Sequence, residues 1–193
     1  MTTDFPGHAA APAGFEVPLE MLAACHLRIE RQYDTLLRLA PHLREHGSDQ
    51  QARDAAAAVL RYFDSAAAHH HEDEENDLFP ALLEAMAGSD AVCIREMIGA
   101  LLAEHRVLEG RWQRLRPQLL RIAEGAAGLL DDAEIAAFAD GYRSHIEREE
   151  NELLPMAGRL LDAAQLERIG RSMRLRRGID DAAVQGGNAE VAK

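Results

Sequence analysis

His70-His71-Glu72-Asp73-Glu74-Glu75-Asn76-Asp77-Leu78-Phe79-Pro80 returns without a gap as His145-Ile146-Glu147-Arg148-Glu149-Glu150-Asn151-Glu152-Leu153-Leu154-Pro155. The shared pattern is HxExEENxLxP. Residues four apart on an α-helix differ by about 40° around its axis, so each copy turns an imidazole and a carboxylate toward one place. That is metal-chelate spacing. The second copy also selects among His69, His70 and His71, because His70 alone has a histidine counterpart. His69 and His71 lie about 100° to either side of it and are expected to flank the site or face solvent. Glu75 and Glu150 fall about 140° from their histidines, which predicts a supporting or surface role.

Outward from the repeat, apolar residues alternate three and four apart, the seam of an antiparallel bundle. One stripe runs Leu19, Leu22, His26, Ile29, Tyr33, Leu36; another runs Ile94, Ile98, Leu101, His105, Leu108, Trp112; a third runs Ile135, Phe138, Tyr142, His145, Glu149, Leu153. The stripe through Val59, Phe63, Ala67, His70, Glu74 and Leu78 is less regular. Each stripe holds one histidine where an apolar residue is due. Turn signals at Gly47-Ser48-Asp49, Gly88-Ser89-Asp90 and Gly125 to Asp132 separate the helices, glycine ending one and Ser or Asp capping the next. Asp131 with Glu134 has capping-box spacing. The expectation is an all-α, antiparallel up-down four-helix bundle, with helices near 17–46, 49–87, 90–124 and 132–159, and a short fifth C-terminal helix near 162–176. The domain is then 17–177, between disordered tails 1–16 and 178–193 that are poor in large apolar groups.

Counting from the turns puts His26 level with His70, and His70 level with His105. His105 to His145 matches less well, and a frayed end or a kink at Pro117 would absorb the difference. One buried histidine is ordinary in a core. Six ionisable groups at one level are not, because each buried charge costs several kcal/mol while a whole domain is stable by about 5–15 kcal/mol. Divalent cations remove that conflict. The candidate ligands are His26, His70, Glu74, His105, His145 and Glu149, a nitrogen and oxygen set without thiolate that suits iron, manganese or zinc, with two carboxylates able to bridge two metals. Glu30 and Glu109, each four residues after a candidate histidine, read either as further ligands or as exposed helix residues.

Composition sets the outer limits. Hydrophobic residues are 47% and aromatic residues 5%, with Ala and Leu dominant, which favours helix over strand. A net charge of -12 repels phosphate backbones and anionic lipid, so neither nucleic acid nor membrane is an expected partner. Cys25 and Cys93 form no CxxC pair and read as small buried helix residues. No signal segment or membrane-length apolar run is present, and the expected compartment is cytoplasmic.

These motifs closely resemble the hemerythrin-like HHE cation-binding family: HxxxEExxLFP from His70 to Pro80, the Glu104-His105-Arg106 triplet, and HxxxE before LxP from His145 to Pro155. The resemblance spans residues 17–159. It implies a non-haem di-iron centre on the same six residues, with Glu74 and Glu149 as bridges. Oxygen-carrying hemerythrins have a second histidine four after the first on helix three and an aspartate five after the histidine on helix four; here Glu109 and Glu150 stand in those places. The implied function is therefore a non-enzymatic metal-binding module that binds or senses dioxygen, nitric oxide or iron; a sensor would signal through another protein, which the sequence does not identify, or through its own unfolding. The alternatives are a di-iron enzyme reducing peroxide or nitric oxide, or an iron-centre repair protein. The latter carry an N-terminal cysteine pair, and residues 1–16 contain no cysteine. Arg171, Arg174, Arg176 and Arg177 are expected to complement the helix dipole and the acidic bundle.

Overall fold

A computed structural model of the chain describes residues 14–15, 17–86 and 91–179, and every regular element among them is helical. Of the expected tails, only Gly14, Phe15, Gly178 and Ile179 fall among these residues, and the Gly88-Ser89-Asp90 turn lies outside them. Eight α-helices are described: α1 Pro18–His46, α2 Gln50–Arg61, α3 Ala67–Asp73, α4 Phe79–Ala85, α5 Ala91–Ala123, α6 Asp132–Arg148, α7 Leu154–Leu160 and α8 Ala163–Arg176. None is long and apolar enough to cross a membrane.

Helices α2, α3 and α4 are one rod, joined by π turns at Tyr62–Ala66 and Glu74–Leu78; α6 and α7 are another, joined by a π turn at Glu149–Leu153. A π turn closes its hydrogen bond one residue later than an α turn, which advances the phase of the side chains. The irregular stripe through Phe63 and His70 has this cause. Both motif copies start their π turn on the glutamate, and in each a proline follows the turn by two residues, Pro80 and Pro155. A proline inside a helix lacks the N–H for the ladder, and here it enters where the ladder has already been re-registered.

α1 packs on α2 and α6, and α5 packs on the same two, so the four rods close a ring. α5 runs unbroken through Pro117. The height mismatch between His105 and His145 is taken up instead by the connection to α6. Gly125, at φ 82, ends α5 with its N–H on the Ile122 carbonyl and the Ala126 N–H on the Arg121 carbonyl. The chain then doubles back, with Gly128 against Ile122 and Leu130 buried. Asp131 caps α6 through the Ala133 amide, but Glu134 does not complete the box: its carboxylate takes Arg111 at 3.3 Å and Arg114 at 2.9 Å from α5. Charge-assisted bonds outcompete a neutral amide there. The completed box is Asp162 with Gln165, at the start of α8.

Two apolar clusters fill the ring, one around Leu36, Leu115 and Phe138, the other around Leu22, Leu78 and Leu101. Phe15 and the α8 residues Ile169 and Met173 extend the second. Cys25 is buried as expected, but Cys93 is exposed near the start of α5, where the helix turns it away from the core. The basic end of α8 is tied to the rod that carries the first motif: Arg177 donates to Asp73 at 2.7 Å, Arg176 donates to Asp73 and, at 2.7 Å, to Asp77. Asp73 is fully buried. Replacing both cations, Arg176→Ala with Arg177→Ala, leaves that carboxylate uncompensated, and a urea melt should register a loss of about 3–5 kcal/mol.

Candidate metal centre

Between the two apolar clusters, His26 of α1, His70 of α3, His105 of α5, His145 of α6 and the two glutamates that open the π turns converge. All six are 0–1% exposed. Glu74 Oε1 lies 3.4 Å from His70 Nε2 and its Oε2 lies 3.4 Å from His105 Nε2. Glu149 repeats the arrangement, with Oε1 3.2 Å from His145 Nε2 and Oε2 3.1 Å from His26 Nε2. Each carboxylate thus reaches a histidine of its own rod with one oxygen and a histidine of a different rod with the other. The donors fall into two groups that share both glutamates: His26 and His70 in one, His105 and His145 in the other, with atoms in each group within 4.8 Å of one another.

The outer ring nitrogens fix the inner ones. His105 Nδ1 is 2.8 Å from Glu75, His145 Nδ1 is 2.9 Å from Glu104, and His26 Nδ1 is 3.1 Å from Glu150. A carboxylate only accepts, so each Nδ1 carries the proton and each Nε2 is left with its lone pair facing inward. Glu75 is held in turn by Arg106 at 2.5 Å and Glu104 by Arg148 at 2.9 Å. Glu75 and Glu150 therefore hydrogen-bond to candidate ligand histidines, His105 and His26, rather than standing free at the surface. Glu104 is a site residue that the sequence reading passed over, since its partner His145 is 41 positions away and only the fold joins them.

His71, expected to flank the site or face solvent, flanks it and goes further: it stacks on His105 with ring centroids 3.9 Å apart and joins His105 and His145 in a third group of potential donors. Within a ring of four rods the core-facing arc of a helix looks toward two neighbours, so residues 100° apart both point inward, His70 toward His26 and His71 toward His105. A signal was available: Ile146, in the aligned place of the second copy, is an apolar residue and is buried. Glu109 is 58% exposed and pairs with Arg106, and neither it nor Glu30 belongs to any donor group among the described residues.

The electrostatics of this core are unbalanced as it stands. Among the described residues, no oxygen of Glu74 or Glu149 accepts a hydrogen bond, and neither nitrogen of His70 nor Nε2 of His26 or His71 has a hydrogen-bond partner. His105 Nε2 and His145 Nε2, both lone-pair bearing, approach to 3.1 Å. Burial, then the charge of Glu149, holds the Glu74 carboxyl well above the usual carboxylate range. Burial and the neighbouring histidines push His70 and His71 well below the ordinary imidazole value. Burial opposes a charge on His26 and on Glu149 alike, yet their mutual attraction prevails and moves His26 up and Glu149 down. Converging lone pairs that lack a donor, in a dry core, fit divalent cations and little else.

A family model described as the hemerythrin HHE cation binding domain matches residues 17–157, a span that contains every donor named above. An uncharacterized protein of Haemophilus influenzae (strain ATCC 51907 / DSM 11121 / KW20 / Rd) is 33% identical over 169 residues, which cover 88% of this chain and 95% of the relative. With the histidine and glutamate cluster in the core and the family match around it, the chain belongs to the hemerythrin HHE cation-binding domain family.

Proposed function

We propose that this protein holds two iron ions in a non-haem centre, one on His26 and His70, the other on His105, His145 and His71, bridged by Glu74 and Glu149, and that it uses the centre to bind or sense dioxygen or nitric oxide. The observation that carries this reading is the way each glutamate lays one oxygen toward each half of the site. The donor set is imidazole and carboxylate without thiolate, which iron accepts, as do manganese and zinc. His71 brings the histidine count to five, so α3 supplies what Glu109 on α5 does not. The His26 side has one imidazole fewer than its neighbour, so a small exogenous ligand would complete the donor set there. Iron supplies there a Lewis acid that changes valence, and the apolar clusters above and below keep water out.

Anaerobic loading with ferrous iron, followed by elemental analysis, should give two metals per chain; a ceiling at one would refute the dinuclear reading. His71→Ala leaves the His26, His70, Glu74 and Glu149 group whole, so one metal should bind as before and the other about tenfold or more weakly. His69→Ala, outside both groups, should change neither.

Glu74 offers a test of opposite sign in the metal-free protein. Its pKa is raised in the folded state, so the cost of burying the group is absent below the ordinary carboxylate range, grows as pH rises from there toward the folded value, and levels off above it. Glu74→Gln should therefore stabilise the apoprotein, more at about pH 8 than at about pH 6, while weakening metal binding. Urea melts of apoprotein at the two pH values decide it, and an unchanged or reversed difference counts against a charge-strained core.

A further inference from the structure

A cavity of about 300 Å³ opens between α3 and α5 and reaches the site from one side only, touching His71 and His105 but none of His26, His70, Glu74 and Glu149. At its outer end stand Glu72 and Glu109, both exposed; further in, Glu75 joins Arg106. Glu75 and Glu109 share the one guanidinium that lines the cavity, Arg106, while Glu72 also lies 3.4 Å from Arg176 of α8 and a fourth carboxylate, Asp64, is neutralised by Arg116 at 2.8 Å. At the inner end, His71 Nε2 is buried without a partner. An acidic opening over a low-dielectric passage concentrates cations and repels anions. The six-residue core is otherwise sealed, with exposures of 0–1%.

From this we infer that the cavity is the entry route for a divalent cation, with Glu109 and Glu72 as its electrostatic mouth and His71 as the first protein ligand the ion meets. The inference rests on the metal-centre reading above. It gives Glu109, which binds in neither half of the site, a task in loading rather than in holding. It also separates His71 from His70: both face the core, but only His71 faces the way in.

A route alters the rates of loading and release together and leaves the end states alone, whereas a lost ligand alters the affinity. Trp112, the single tryptophan of the chain, lines the cavity and reports a paramagnetic ion by quenching. Full-length apoprotein would be mixed with cobalt(II) in a stopped-flow fluorimeter, and the loaded protein afterwards with excess chelator. Ala68→Phe, on the exposed face of α3 where it lines the cavity, should slow loading and release by a similar factor of about ten or more, with stoichiometry and affinity unchanged. Glu109→Lys should slow loading several-fold at low salt, and the difference should vanish at high salt. Wild-type loading rates in both variants would overturn the route while leaving the metal centre standing. So would a drop in affinity with faster release, which would mean damage to the site. A wild-type protein that takes up no cobalt would remove both readings at once.

Discussion

Two carboxylates share one dry pocket with five imidazoles, and each carboxylate is held in common by two halves of that pocket. The rest of the structure answers to that constraint. A buried carboxylate without a hydrogen-bond donor is among the most costly features a small domain can carry, and here there are two, with burial first and then the charge of Glu149 raising the pKa of Glu74. The apolar clusters on either side exclude the water that would otherwise relieve them. The glutamates beneath the rings, Glu75, Glu104 and Glu150, work in the same direction, since by taking the Nδ1 protons they commit the inner nitrogens to being acceptors. The fold therefore holds open a demand for positive charge that the attraction between His26 and Glu149 meets only in part.

The π turns are how the backbone meets the same demand. An uninterrupted α-helix places residues four apart nearly in line, but the stretch that follows must bury Leu78, Phe79 and Leu82 on the far side of the site. One added residue, inserted at the glutamate itself, re-aims the apolar stripe without moving the histidine–glutamate pair that precedes it. The proline that follows costs little at that point. Away from the core, α8 ties its arginines to Asp73 and Asp77, on the face of the same rod that turns away from the metal donors.

Much of this was legible in the sequence. The repeat located His70, Glu74, His145 and Glu149, the apolar stripes located His26 and His105, and the glycines located the ends of α1 and α5. What could not be read had common causes. His71 was set aside because 100° around an isolated helix looks like a turn away from the core, whereas inside a ring of rods it is the arc between two neighbours. Glu104 and Glu134 have partners on other rods, and no local spacing announces them. The doubled-back connection before α6 left Pro117 nothing to absorb, and the π turns broke the 3.6-residue count on which the heights were judged.

The atom-by-atom match between Glu74 and Glu149 also says something about how such a site is built. Glu74 joins His70 of its own rod to His105; Glu149 joins His145 of its own rod to His26. Glu75 supports His105 as Glu150 supports His26. These are the reciprocal contacts of an isologous pair, in which one surface recognises a copy of itself. A hairpin with one histidine on its first helix and one HxxxE on its second writes the whole six-residue set by pairing with its like, and joining the two copies in one chain then frees each to diverge. Two positions in the core record that freedom: Cys25 precedes His26 where Glu104 precedes His105, leaving the His70 Nδ1 without the carboxylate that His145 has, and His71 stands opposite Ile146. The pseudo-twofold axis is broken at those places, and with it the equivalence of the two halves.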